Sequence, residues 1–204
     1  MGGNNSGTAY QNIPVDPRDA LTIARIVKVN HAGEFGAIRI YSAQLMVSRW
    51  FWPDCHPALS EILRHERNHC AIFRAAMPFR KSRPCRVMQF WSYGGWLLGF
   101  LTACLGRNGI WACTAAVEAA VHRHLDDQLH FLQNRDTELY RIILSIRAEE
   151  LAHLHHAEEQ LRSGAPPPFL RQAISSTTDA LIWLSTWGDS SRMAHAMKVA
   201  RGKV

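Results

Sequence analysis

The sequence predicts an all-α fold built on a four-helix bundle. Apolar residues recur at helical spacing, and the clearest example is a stripe formed by Ile23, Val27, Ile38, Tyr41 and Leu45. Strand signals are nearly absent, since no hairpin-type turn dipeptide lies between alternating apolar runs. With 204 residues, the chain is long enough for one domain with a hydrophobic core.

Six helices are predicted, separated by polar or proline-containing breaks. They span approximately residues 19–49, 57–76, 87–105, 108–133, 137–162 and 169–186. Asn108 is the expected N-cap of the fourth helix. The chain is therefore divided into a flexible polar N-terminus over residues 1–18, a single domain over residues 19–186 and a basic C-terminal tail over residues 187–204.

The composition favours anionic partners and a reducing compartment. The formal net charge is +6 and the pI is about 9.4. Nucleic acid is not a predicted partner, because charge is the single feature that supports it. The five cysteines are an odd number without a CxxC pair, which indicates reduced thiols in a cytosol-like compartment. We expect neither a cleavable signal peptide nor an Arg-rich transit peptide at the N-terminus.

Four of the predicted helices interrupt their apolar stripe with a carboxylate, and two of them add a histidine three residues later. The interrupting residues are Glu34, Glu66, His69, Glu118, Glu150 and His153. Glu66 follows Glu34 by 32 residues, as Glu150 follows Glu118, and the whole first set of three recurs 84 residues further on. This duplication is a far more specific indicator of a metal site than a single ExxH motif.

Physical chemistry explains why such residues would be grouped on buried helix faces. Isolated carboxylates in a dry interior cost several kcal/mol or more, so four of them require cations. A Glu and a His three residues apart lie on one helical face and can reach one metal ion. A Glu from each of two helices, with ExxH from each of two others, is the carboxylate-bridged di-iron or di-manganese arrangement of helical bundles. All six residues are therefore predicted metal ligands and catalytic residues.

Together, the motifs VNHAGEFGAIRIYSAQ, HERNH, CTAAVEAAVHRH and RAEELAH resemble the demethoxyubiquinone hydroxylase family of ubiquinone biosynthesis over about residues 20–185. The resemblance implies a ferritin-like bundle that holds two Fe ions per chain at the same six residues. It also implies an O₂-dependent monooxygenase that hydroxylates the ring of a polyprenylated demethoxyubiquinol precursor, with NADH as the candidate electron donor. Two departures stand out, because Leu125 replaces a usual tyrosine that is suspected of orienting substrate, and Phe35 replaces the commoner tyrosine of HAGEYGA.

The same resemblance implies a peripheral membrane protein at the cytoplasmic face of the bacterial inner membrane, with other ubiquinone-biosynthesis proteins as candidate partners. Two alternative functions stay open. One is a di-iron quinol oxidase, which reduces O₂ without inserting oxygen into the ring. The other is a non-enzymatic quinone-binding subunit of the biosynthetic complex.

Residues 87–105 form an uncharged stretch long enough to be a membrane span, a buried crossover helix or a helix lying in one leaflet. A span would put the two halves of one metal site on opposite sides of the membrane, so contact with an anionic membrane surface is the preferred interpretation. Arg80, Lys81, Arg83 and Arg86 precede the stretch and suit anionic headgroups. With the predicted last helix, these two additional apolar helices would form an apolar entrance for a polyprenyl chain.

Overall fold

The computed structural model describes residues 16–86, 88–161 and 168–200. Within those three ranges the chain forms seven α-helices and no β-strand, which confirms the all-α class. Most of the predicted flexible N-terminus, the SGAPPP break and the end of the predicted basic tail lie outside the described residues. The helices are α1 (Pro17–Phe51), α2 (His56–Ala76), α3 (Met88–Cys104), α4 (Arg107–Leu132), α5 (Thr137–Gln160), α6 (Pro168–Thr186) and α7 (Asp189–Ala200).

Helices α1, α2, α4 and α5 form the bundle, and short-range signals in the sequence fix where they begin. The Asp16 carboxylate accepts a hydrogen bond from the Arg18 backbone N–H at 2.8 Å and caps α1. The Asp136 carboxylate caps α5 in the same way, from the Leu139 backbone N–H at 2.9 Å. Helix α1 thus begins at Pro17, two residues before the predicted start.

The bundle core consists of two apolar clusters with a polar layer between them. On α1, for example, Ile26 belongs to one cluster and Tyr41 to the other, and Glu34 lies between them. On α5, Ile143 and Ala157 belong to the two clusters in the same way, with Glu150 and His153 between them. The apolar stripes therefore pack the two ends of the bundle, and the predicted ligands form its middle.

Helix α3 lies along the outside of α1, and two glycines allow the backbones to meet. A Cβ atom on Gly95 would lie 2.6 Å from the carbonyl oxygen of Gly36, and one on Gly99 would lie 2.2 Å from that of Ile40. These distances are far below any real contact, so only glycine fits. No helix in the described parts of the chain has the length and apolar character needed to cross a membrane.

The turn from α3 into α4 differs from the prediction. The N-cap of α4 is Gly106 and not Asn108. Gly106 has a φ of 89°, a left-handed conformation that side chains rarely adopt, whereas Asn108 is already inside the first helical turn. A glycine cap was not recognised because asparagine is the stronger N-cap signal in a sequence.

In the described part of the chain, three helices pack against the bundle, whereas two were predicted. Helix α6 packs mainly on α4, and α7 packs on α4 within the segment that was predicted to be a basic tail. The reason is Asp189, whose side chain is only 1% exposed and accepts hydrogen bonds from Arg18 at 2.6 Å and Arg25 at 2.8 Å. Thr22 adds a hydroxyl donor at 3.2 Å. These contacts attach the start of α7 to the first turns of α1, so the ordered fold continues past residue 186.

Candidate metal centre

The structure brings all six sequence-predicted residues together in the polar layer of the bundle. None is more than 7% exposed. Two residues come from the middle of α1 and α4, and the other four come as two ExxH pairs from α2 and α5. They are Glu34, Glu66, His69, Glu118, Glu150 and His153.

The six side chains form two overlapping groups of four. The first group is Glu34, Glu66, His69 and Glu150, and the second is Glu66, Glu118, Glu150 and His153. Within each group, one ligand atom per residue lies within 4.8 Å of the others. Glu66 and Glu150 belong to both groups, which is the position of a carboxylate that bridges two ions. Each group draws ligands from both halves of the duplicated sequence.

The two histidines face the carboxylates with Nδ1. His69 Nδ1 lies 2.9 Å from Glu150 Oε1 and 3.9 Å from Glu34 Oε2. His153 Nδ1 lies 3.2 Å from Glu150 Oε2 and 3.6 Å from Glu66 Oε1. Glu150 therefore lies between the two imidazoles.

The donor set fits a pair of divalent cations. Three of its buried atoms make no hydrogen bond of acceptable geometry, namely Glu66 Oε1, Glu150 Oε1 and His69 Nδ1, although the last two lie 2.9 Å apart. Buried polar atoms without a hydrogen bond are rare in folded proteins, and a cation would supply the missing partner. Carboxylate oxygens and imidazole nitrogens are the ligands of the di-iron and di-manganese bundles.

Burial and mutual repulsion set the protonation of the carboxylates. Burial, followed by the charge of Glu150, raises the pKa of Glu34 to about 7. Burial also raises the pKa values of Glu66 and Glu118 well above their usual range, again with Glu150 as the next cause. Glu150 is the exception, because its close polar contacts with His153, His69 and Glu118 outweigh burial and lower its pKa to about 2. The cluster thus keeps protons that cations would displace.

Three further residues contact the cluster, and sequence periodicity did not assign them to it. The Tyr41 hydroxyl donates a hydrogen bond to Glu118, although Tyr41 reads as an ordinary member of an apolar stripe. Glu149 Oε2 lies 3.2 Å from His69 Nε2. His65 Nδ1 lies 2.9 Å from His153 Nε2. Such partners fix the orientation of an imidazole ligand.

A cavity of about 1180 Å³ reaches the carboxylates, and Glu149 is not among the residues that line it. All four glutamates of the cluster line it, whereas neither histidine does. Its walls are mostly apolar and come from α1, α3, α4 and α6, including Trp91, Leu98, Ile174 and Ile182. Leu125 is buried and also lines the cavity. Phe35 does not line the cavity and instead lies beneath the Arg39 guanidinium, 5.2 Å from the ring centre.

The basic residues that precede α3 have different surroundings. The Arg80 side chain is bound by Asp136 at 2.6 Å and Glu138 at 3.1 Å, so it is not available to a headgroup. This corrects the expectation for Arg80, whose charge serves to hold the start of α5. Lys81, Arg83 and Arg86 lie at the edge of the cavity.

Comparison with known proteins gives one consistent family. The family model described as "Ubiquinone biosynthesis protein COQ7" matches residues 21–185. The chain is 34% identical to the NADPH-dependent 3-demethoxyubiquinone 3-hydroxylase of Mus musculus, over 89% of this chain and 83% of the relative. It is 36% identical to the 3-demethoxyubiquinol 3-hydroxylase of Rhodospirillum rubrum, over 87% of this chain and 84% of the relative. The 5-demethoxyubiquinone hydroxylase of Saccharomyces cerevisiae is 28% identical, over 80% and 77%.

Proposed function

Since this chain belongs to the ubiquinone biosynthesis protein COQ7 family of hydroxylases, we propose that it is an O₂-dependent di-iron monooxygenase acting on the ring of a polyprenylated demethoxyubiquinol precursor. The observation that carries the proposal is the convergence of four buried glutamates and two histidines at the base of an apolar cavity. The names of the relatives supply the class of substrate, and the cavity supplies a place for it.

The proposed ligands divide into shared and separate residues. Glu66 and Glu150 would bridge the two Fe ions, because each belongs to both groups of four. Glu34 with His69 and Glu118 with His153 would complete the two coordination shells. When bound, the iron pair would supply the reduction of O₂ that ring hydroxylation requires. One oxygen atom enters the ring and the other leaves as water, so each turnover consumes two electrons from a donor.

The rest of the site would bind the quinone and exclude water. The ring would lie against the four glutamates, where the cavity is narrowly bounded by Gly36, Val117 and Leu125. The isoprenoid chain would follow the apolar walls outward between α3 and α6. Burial of each isoprenoid methyl or methylene group contributes about 0.8 kcal/mol of binding free energy. A dry cavity also keeps water from the reacting centre.

We also propose that the outer face of α3 contacts the membrane from which this substrate comes. Phe90, Tyr93, Leu97 and Leu101 recur at helical spacing and are all exposed. They follow the basic segment at the edge of the cavity, so a helix lying in one leaflet would have its cations at the headgroups. This arrangement would make the chain a peripheral membrane protein with its cavity open toward the lipid, and the cytoplasmic face of a bacterial inner membrane is the location that the family resemblance implies.

The electron donor is a nicotinamide nucleotide in this proposal. NADH is the donor predicted from the family resemblance, whereas the name of the mouse relative specifies NADPH. Comparing the two nucleotides in turnover assays with reconstituted enzyme distinguishes them.

The test is a bacterial strain that lacks its own demethoxyubiquinone hydroxylase and carries this chain instead. Ubiquinone should reappear, and purified enzyme that turns over the demethoxy precursor under ¹⁸O₂ should place one labelled atom on the ring. Glu118→Ala and His153→Ala should each accumulate the demethoxy precursor. Glu61→Ala is the matched control, because Glu61 lies on the same helix as Glu66 but is 65% exposed, and it should behave as wild type.

The result that would contradict the proposal is equally specific. If the expressed chain contains iron and consumes O₂ with quinol but leaves no label on the ring, it is a quinol oxidase. If it binds quinone without consuming O₂, it is a binding subunit.

A further inference from the structure

The 84-residue offset of the internal duplication can also be applied to positions beyond the six candidate ligands. Position 41 lies seven residues after Glu34, and position 125 lies seven residues after Glu118. The two positions are therefore 84 residues apart, the same offset that relates each ligand to its repeat. Seven residues are about two helical turns, so each position shares a helix face with its glutamate.

One of these positions holds a tyrosine that reaches the opposite half of the cluster. Tyr41 is 1% exposed, and its hydroxyl donates to Glu118 Oε1. The donor lies on α1 and the acceptor on α4, so the contact crosses between the two halves of the duplicated sequence. With Oε1 engaged by the hydroxyl, the other Glu118 oxygen remains to face an ion.

The other position holds a leucine. By the internal repeat, a donor at position 125 on α4 would face Glu34 on α1, as Tyr41 on α1 faces Glu118 on α4. Leu125 is buried and has no donor, so Glu34 lacks the corresponding hydroxyl. Leu125 and Glu34 both line the cavity, so a longer side chain at position 125 would extend from the wall that Glu34 shares.

We propose that Tyr41 is a positioning residue that fixes Glu118 as a terminal ligand, and that Leu125 makes the centre asymmetric because Glu34 has no matching support. This inference rests on the proposed metal centre. An ion at Glu118 and His153 would be bound by a carboxylate that a hydroxyl orients. An ion at Glu34 and His69 would be bound by a carboxylate without that hydroxyl. Hydrogen-bonded partners of this kind typically change metal affinity by about 10- to 100-fold.

The experiment is an anaerobic titration of the purified apoprotein with ⁵⁷Fe(II), read by Mössbauer spectroscopy. Wild-type protein should bind two ions with two resolved quadrupole doublets. Tyr41→Phe should lower the affinity for one iron ion by about 10- to 100-fold and alter one doublet. Leu125→Tyr should raise the affinity for the other iron ion and alter the other doublet. Tyr140→Phe is the matched control, because it removes a hydroxyl from the core about 15 Å along α5 from Glu150.

The outcomes separate this inference from the proposed function. Binding of fewer than two ions by the wild-type protein would reject the di-iron centre itself. Two ions in the wild type, with unchanged affinities and doublets in Tyr41→Phe, would reject the role of Tyr41 alone. A change of the same doublet by both Tyr41→Phe and Leu125→Tyr would also reject it. If Tyr41 only stabilised the fold, Tyr41→Phe would lower the melting temperature of the apoprotein and leave both iron affinities as in the wild type.

Discussion

Replacing Gly99 with alanine would force α3 away from α1. The new Cβ atom would lie 2.2 Å from the carbonyl oxygen of Ile40 and 2.8 Å from its Cα. Real Cβ atoms essentially never approach another heavy atom closer than 3.0 Å, so a shift of at least 0.8 Å is needed. The obstacle is backbone within a helix and cannot rotate away, so α3 itself must move.

The size of the effect follows from two opposing contributions. Overpacking of a well-packed contact typically costs about 1 to 3 kcal/mol. Alanine in place of glycine inside a helix raises the free energy of unfolding by about 0.5 to 1 kcal/mol. The net loss of unfolding free energy is therefore between about 0 and 2.5 kcal/mol, which lowers the melting temperature of a chain of this length by up to about 10 °C.

The assay is thermal unfolding of the metal-free protein, followed by circular dichroism at 222 nm. Gly94→Ala is the matched control on the same helix, because a Cβ atom there would meet nothing within 4 Å. It should raise the free energy of unfolding by about 0.5 to 1 kcal/mol through helix propensity alone. If Gly99→Ala is as stable as Gly94→Ala, the close packing of α3 on α1 is refuted.

Three further predictions follow from other parts of the fold. Asp189→Asn should lower the free energy of unfolding by about 3 kcal/mol, because it removes the buried charge that binds two arginines. Chemical denaturation measures this, and an unchanged midpoint would contradict the proposed attachment of α7 to α1. Leu97→Glu should weaken binding to anionic vesicles by roughly tenfold or more in co-sedimentation. Leu144→Glu, at an exposed leucine of α5, should bind as wild type, and equal binding by both variants would exclude the α3 face. Cys104 is exposed and should react with a maleimide at pH 8. Cys113 is buried, and burial raises its pKa to about 12. Mass spectrometry should therefore find Cys113 labelled only after unfolding.

The candidate ligands could be predicted because their signal is local and repeated. A carboxylate that interrupts an apolar stripe is visible within a few helical turns, and the repeat at 84 residues links the two halves without any structure. The helix bounds followed from caps and breaks of the same short range. The structure adds the overlap of the two groups, which identifies Glu66 and Glu150 as the shared carboxylates.

The features that were missed depend on contacts between residues far apart in the chain. Asp189 is 171 residues from Arg18, and neither residue indicates the other in a helical pattern, so α7 was taken for a tail. Arg80 looked like a free cation because Asp136 lies 56 residues further on. Tyr41 was hidden for a different reason, since an aromatic residue on an apolar stripe reads as core. The repeat offset, applied to position 125, was the one signal that could have singled it out.

The cluster has two faces of opposite character. The cavity with its apolar walls ends at the four glutamates. On the histidine side, the Nε2 atoms of His69 and His153 face Glu149 and His65, respectively. The side chain of Glu149 is 38% exposed, and that of His65 is 22% exposed, so this second face is in contact with water. A hydrophobic ligand that filled the cavity would therefore leave the α2–α5 side of the candidate centre in contact with water.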